Sequence, residues 1–253
     1  MLLHTNDMHN RRGAFPYLAS FPRTSRTMLV DAGDAIRGSN TVFHFREPML
    51  DRMSALGYYS MAFGNREFHS LRGVLFRRYR QVSFPFLCAN LCDMRRKASQ
   101  FWRPYLLKQV DGVRVGLIGL TPVQYNDSSL WQPITGFRFL PPMEVLPDIV
   151  ATLRSQVDVL ILLSHSGFEA DREIARGVDG IDCIVGGHSH TVLEAPTFVG
   201  GTAIVQAGSH GRFVGKMQMR LRPGGGIEVI DYALVPMQSR DGVVHVREAG
   251  GAA

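Results

Sequence analysis

The sequence predicts an α/β domain, and three observations carry the prediction. Apolar runs of strand length, such as 157–163 and 181–185, alternate with stretches of helical periodicity such as 143–156. Five strand-like runs end in small residues mixed with Asp, Asn or His, which is where open α/β sheets keep their sites. The length, 253 residues with no repeat or low-complexity tract, suits one large unit.

In chain order, residues 1–5 form a first strand that ends in Asn6-Asp7-Met8-His9, so a carboxylate and an imidazole project just beyond it. Residues 26–30 form the next, ending in Asp31-Ala32-Gly33-Asp34, two carboxylates around a glycine where a turn needs only one. Helical spacing over 46–56 stops at Gly57, a C′ glycine. A strand at 58–63 then delivers Gly64-Asn65-Arg66-Glu67-Phe68-His69, and a helix at 71–79 presents a basic face that reads as solvated.

A strand at 84–89 ends at Asn90. Two more, 105–110 and 113–120, are joined by the hairpin signal Asp111-Gly112. Residues 121–142, rich in Pro and Trp, lack periodicity and read as a loop over the sheet edge. Phe43, His44, Tyr125, Trp131 and His210 are loop residues that could border a cleft, though packing or a surface position accounts better for each.

The amphipathic helix at 143–156 leads into the apolar run 157–163, the pattern of a strand covered on both faces, which ends in Ser164-His165-Ser166-Gly167. After a helix at 169–175, the strand at 181–185 runs into Gly186-Gly187-His188-Ser189-His190. There the glycines are expected to free the backbone, and two imidazoles arrive at spacing i, i+2. Strands at 202–206, 213–222 and 227–235 complete the domain, with 223–226 as the last turn. The catalytic unit is therefore 1–236, and 237–253 reads as a flexible tail.

Composition bounds the function. The formal charge of +6 comes mostly from arginine, which suits anionic substrates, but the positive residues are scattered and no basic run with interleaved aromatics marks a nucleic-acid track. Cys88, Cys92 and Cys183 form no CxxC pair and read as reduced thiols. With no basic leader and no apolar run of membrane length, the expected location is the cytoplasm, away from membranes.

Asp7, His9, Asp34, Asn65, His165, His188 and His190 all fall just past strand ends. Seven ligands are too many for one ion and suit two sharing a carboxylate, for which Asp34 is the natural bridge. Mixed Asp, Asn and His ligands without thiolate fit Mn²⁺, Fe, Co²⁺ or Zn²⁺. Two such ions can activate water and neutralise a phosphoryl oxygen, the requirement of phosphate ester hydrolysis.

The ordered motifs His4-Thr5-Asn6-Asp7-Met8-His9, Asp31-Ala32-Gly33-Asp34, Gly64-Asn65-x-Glu67-Phe68, Cys88-Ala89-Asn90, Leu163-Ser164-His165, Gly187-His188-Ser189-His190-Thr191 and Gln206-Ala207-Gly208 resemble the catalytic domain of the bacterial 5′-nucleotidase family, calcineurin-like metallophosphoesterases. The resemblance implies a four-layer α/β/β/α sandwich of two mixed sheets flanked by helices. It places Asp7, His9, Asp34 and His190 on one divalent ion and Asp34, Asn65, His165 and His188 on the other. It sets Asn90 near the phosphate and makes Glu67 a partner of the ligands rather than a ligand.

Two departures qualify the resemblance. Where the family has Gly-Asn-His-Glu-Phe-Asp, this chain has Arg66 and His69 in place of the His and Asp that serve proton transfer. Arginine can clamp a phosphoryl oxygen but stays protonated at neutral pH, which leaves His69 as the remaining candidate proton donor. The residues also leave no room for the C-terminal domain with which many relatives bind the nucleoside.

The expected function is hydrolysis of a small phosphoester, nucleotide-like, by two divalent ions, with Arg66, His69 and Asn90 as catalytic groups. A partner chain or oligomer completing the substrate site is one way to supply specificity. The rival is a metal-binding protein that recognises a phosphorylated ligand without turnover. An enzyme acting on a sulfur ester shares the scaffold, but no residue favours it.

Overall fold

Side-chain alternation within the buried strands sets the architecture. In β1 (Leu2–Thr5), Leu2 enters one core and Leu3 another. The same split separates Val159, Ile161 and Leu163 from Leu160 and Leu162. Strands apolar on both faces must be covered on both. The structure, a computed structural model, describes residues 1–39, 41–96, 99–223 and 225–237.

After β1 come α1 (Phe15–Ser20), β2 (Met28–Asp31), α2 (Pro48–Ala55), β3 (Ser60–Ala62), α3 (Arg72–Gln81) and β4 (Phe86–Leu87). The middle of the chain holds β5 (Leu91–Asp93), β6 (Tyr105–Val110), β7 (Val113–Leu120), α4 (Trp131–Thr135) and β8 (Phe137–Phe139). It continues through α5 (Pro142–Arg154), β9 (Val159–Ser164), α6 (Phe168–Gly177) and β10 (Cys183–Gly186). Four strands end it: β11 (Thr197–Val199), β12 (Thr202–Val205), β13 (Phe213–Leu221) and β14 (Ile227–Pro236).

These make two six-stranded sheets, in the orders β14-β13-β1-β2-β3-β4 and β11-β12-β10-β9-β7-β6. In the first, β1 to β4 run parallel and β13 and β14 antiparallel; in the second, β7, β9, β10 and β12 run parallel between antiparallel edges. Leu2, Val30 and Met217 meet Leu117, Ile161 and Val185 between the sheets. Leu50 and Met53 of α2 and Leu75 of α3 cover the outer face of the first sheet, and Leu146 of α5 and Ile174 of α6 cover that of the second. This is the expected four-layer α/β/β/α sandwich.

Gly57 ends α2 with φ of 68°, and Asp111-Gly112 turns with φ of 51° and 85°, as their residue types predict. Four segments differ from the sequence reading. Residues 121–142 are not a plain loop: they contain α4 and β8, and β8 pairs antiparallel with β5 through Phe137 and Phe139, both buried. The short α1 and β11 escaped notice because neither spans two turns or two repeats of a pattern. The basic face of α3 is not wholly solvated, since Arg78 is 2% exposed.

Of the tail expected from 237, only Met237 is described: it is buried, and its N–H donates to the Arg212 carbonyl at 2.7 Å. The rest lies outside the described residues. Cys88, Cys92 and Cys183 are free thiols. Among the described residues no helix is long and apolar enough to cross a membrane.

Candidate metal centre

Asp7 shows how the centre is built. It leaves the C-terminal end of β1 with no exposed surface, and its Oδ2 accepts from Asn6 Nδ2 at 2.8 Å and from the His188 N–H at 2.9 Å. Its Oδ1 is buried with no hydrogen-bond donor. A carboxylate oxygen left this way is costly unless a cation meets it. Around Oδ1 stand His190 Nε2 at 3.3 Å and His9 Nε2 and His165 Nε2, each at 3.8 Å.

His165, at the end of β9, is equally committed. Its Nδ1 lies 2.7 Å from the Ala32 carbonyl, an oxygen that only accepts, so Nδ1 carries the proton. Nε2 is then turned inward, buried and unpartnered, 3.4 Å from Asp34 Oδ1. Burial by itself lowers this imidazole, but the close Asp34 carboxylate, with Asp7 and the Ala32 carbonyl, pushes it up to about 9. In the same way burial raises Asp7, and the closeness of His190 and His165 more than reverses it. Two carboxylates and a histidine that must borrow a proton to coexist are what a cation would replace.

The Gly186-Gly187 pair serves space rather than backbone freedom. Neither has positive φ, whereas His188 and His190 do, at 72° and 58°. A Cβ on Gly187 would stand 2.8 Å from His165 Nδ1 and 3.0 Å from the Ala32 carbonyl, a distance at which side chains clash. The strain sits on the ligands themselves. Of the eight non-glycine residues with positive φ among the described residues, five are Asp7, His9, Asp34, His188 and His190. Such backbone persists where surrounding structure fixes it, and it gathers at functional sites.

Asp34 Oδ1 accepts the Arg66 N–H at 2.8 Å, and its Oδ2 lies 3.8 Å from Arg66 Nε. Glu67 pins both loops from behind: Oε2 accepts from the N–H groups of Asp34 at 2.8 Å and Gly64 at 3.0 Å, and Oε1 from Ile36 at 3.2 Å. Burial, with the charge of Asp34, pushes Glu67 up to about 7. Arg78 holds the loop from below, donating to the carbonyls of Arg66, Glu67 and Phe68 at 3.1, 2.7 and 3.2 Å.

The ligand atoms of Asp7, His9 and His190 lie within 4.8 Å of one another, and so do those of Asp7, Asp34 and His165. Asp7, rather than Asp34, is common to these two groups. His188 adjoins His165 with ring centres 5.2 Å apart, and Asn65 offers a buried, unpartnered Oδ1.

The expected catalytic residues divide. Arg66 borders Asp34 with its side chain 43% exposed. His69 does not join the centre: it is buried, its Nδ1 accepts the Leu71 N–H at 3.0 Å, and burial with the charge of Arg78 lowers it. Asn90 is likewise directed elsewhere. Its amide donates to the Thr121 and Leu140 carbonyls at 2.8 and 3.1 Å, and its Oδ1 accepts from the Thr121 N–H at 3.0 Å, so no donor is left for a phosphoryl oxygen. It clamps the ends of β4 and β7 together.

Two contributors lacked a clear sequence signal. Asn6 braces Asp7 while accepting the Ala207 N–H at 2.8 Å, tying β1 to the loop after β12. His210 packs its ring 5.1 Å from that of His9 and 5.7 Å from that of His190. The sequence places it only among five loop residues that could border a cleft.

Comparison with known proteins agrees with this geometry. A model of the family described as calcineurin-like phosphoesterase matches residues 1–192. The chain is 34% identical over 221 residues to a 5′-nucleotidase of Bos taurus, covering 76% of this chain and 38% of the relative. It is 28% identical over 285 aligned positions to a 5′-nucleotidase of Vibrio cholerae, covering 93% and 51%. The crystal structure of a 5′-nucleotidase precursor from Thermus thermophilus superposes with a TM-score of 0.78 at 28% identity, covering 93% of this chain and 54% of that one. The chain thus spans about half the length, or less, of the curated relatives it matches.

Proposed function

The chain belongs to the calcineurin-like phosphoesterase family, and from that premise we propose that it hydrolyses a small phosphate ester, nucleotide-like, with two divalent ions. The observation that carries this reading is the pair of buried atoms Asp7 Oδ1 and His165 Nε2, 3.8 Å apart and both without a hydrogen-bond partner. Asp7, His9, Asp34 and His190 would hold one ion, and Asp34, Asn65, His165 and His188 the other. Their oxygen and imidazole ligands suit Mn²⁺, Fe, Co²⁺ or Zn²⁺. Such ions supply the Lewis acidity that activates water and neutralises a phosphoryl oxygen.

The protein's own groups orient the substrate. Arg66, beside Asp34 and half exposed, offers a permanent cation to a phosphoryl oxygen. Glu67 and Arg78 fix the loop that carries it.

A second reading is favoured by one observation: Arg66 presents a guanidinium, which does not act as a general acid, and His69 is turned to the Leu71 N–H rather than to the ligands. On that reading the protein binds a phosphorylated ligand without turnover. The test is hydrolysis of p-nitrophenyl phosphate and bis-p-nitrophenyl phosphate by metal-stripped protein reloaded with Mn²⁺. The hydrolase reading expects turnover that Asp34→Ala lowers about 10³-fold, the loss of several kcal/mol of charge stabilisation. No turnover with two ions bound would give the second reading. Arg66→His then sorts a weakened enzyme, whose rate rises, from one in which Arg66 serves its own substrate, whose rate falls.

A further inference from the structure

A groove of about 1370 Å³ lies beside His210 and includes Arg11, Arg12, Arg52 and Arg212 in its walls and no carboxylate. The two loops that bring three of these arginines together are in close contact: a Cβ on Gly13 would stand 3.0 Å from the Gly211 carbonyl. Arg52 enters from α2.

These four differ from the paired arginines of the surface. Arg26, Arg46, Arg114, Arg138 and Arg172 each lie against a carboxylate. Among the described residues none of the four in the groove has an acidic partner within 4.0 Å. Repulsion among them is uncompensated by the fold, and like charges gathered this way favour an anion.

The groove borders the centre at His210: its ring lies 5.1 Å from that of His9 and 5.7 Å from that of His190, and the charges of Arg11 and Arg212 both act on it.

We propose that this groove binds a second phosphoryl group of the substrate, with Arg11 and Arg212 as its anchors, so that the chain selects compounds carrying two phosphoryl groups over those carrying one. The assignment rests on the phosphoesterase reading for its first phosphoryl group, and on the groove alone for its second. Guanidinium forks match phosphoryl oxygens in pairs, and removing such charge-assisted bonds costs about tenfold or more in affinity each.

The test is calorimetric titration of the protein with pyrophosphate and with inorganic phosphate, compared in wild type and in Arg11→Gln/Arg212→Gln. Both side chains are exposed, so the fold does not depend on them. Arg114→Gln/Arg220→Gln, with the same loss of charge elsewhere, is the control. Wild type and control are expected to prefer pyrophosphate at least about tenfold, and the groove variant to lose that preference. A preference kept in the groove variant, lost equally in the control, or absent from wild type overturns the proposal. The readout needs no turnover. Binding preference without hydrolysis sinks the esterase reading and keeps the groove; hydrolysis without preference does the reverse.

Discussion

The deep half of the metal centre and its rim are built on different principles. Asp7, Asp34 and His165 are at most 3% exposed, and each has its backbone or one side-chain atom fixed by the fold so that another atom is left free. At the rim, His9, His188 and His190 keep access to solvent, and they share with Asp7 and Asp34 a backbone at positive φ. The deep half shows that a ligand can be made by satisfying all of a side chain but one lone pair. The rim shows that solvent access for exchange and substrate can be kept at the cost of local conformational energy.

The largest effect expected from this contrast is on stability without metal. His165→Ala would remove the one fully buried partner shared by Asp7 and Asp34, a loss of about 3–5 kcal/mol for a broken buried pair. That corresponds to roughly 10 °C in Tm for a chain of this size. His190→Ala, whose side chain is 42% exposed, should cost less than about 1 kcal/mol. Thermal unfolding of the two ion-free variants side by side checks this. Equal shifts in Tm would erase the distinction.

The next effect is on metal affinity. Asn6→Ala removes the brace on Asp7 Oδ2 without touching a proposed ligand atom, and groups in that position typically contribute 10- to 100-fold to affinity. Mn²⁺ titration followed by calorimetry should show a loss of about that size. A variant that binds like wild type would mean that the His188 N–H alone holds Asp7 in place.

The smallest is a pH dependence confined to the ion-free protein. His165 is raised from 6.5 to about 9, so the stability it contributes is fully present below pH 6.5 and is lost as pH rises through 9. Tm of the stripped protein should therefore fall by several degrees between those limits. With metal bound the imidazole is neutral throughout, and that part of the slope should vanish. A slope unaffected by metal would assign it to other groups.

The groups that fix the deep half come from far along the chain: His188 donates to Asp7 across 181 residues, and Ala32 accepts from His165 across 133. This explains what was legible. Strands such as β9 and β10 were clear because a fully apolar run has few alternatives, and the ligand types were clear because Asp, Asn and His carry their chemistry wherever they sit. Asn90 and His69 were assigned by position in a motif, and both proved to be bound to neighbouring backbone. Arg78 looked solvated because helical periodicity does not report a guanidinium folded under a loop. The two-stranded sheet of β5 and β8 was missed because three-residue strands recognise each other only once both ends are in place.

The sequence by itself determined the α/β class, the longer buried strands and the seven metal-ligand candidates, all properties of local pattern and side-chain chemistry. Tertiary structure alone decided which oxygen of Asp7 is free, why Gly187 can carry no side chain, and that His210 borders a groove of unpaired arginines. Each of those depends on the distance between atoms of segments brought together only by packing, and no local pattern encodes that distance.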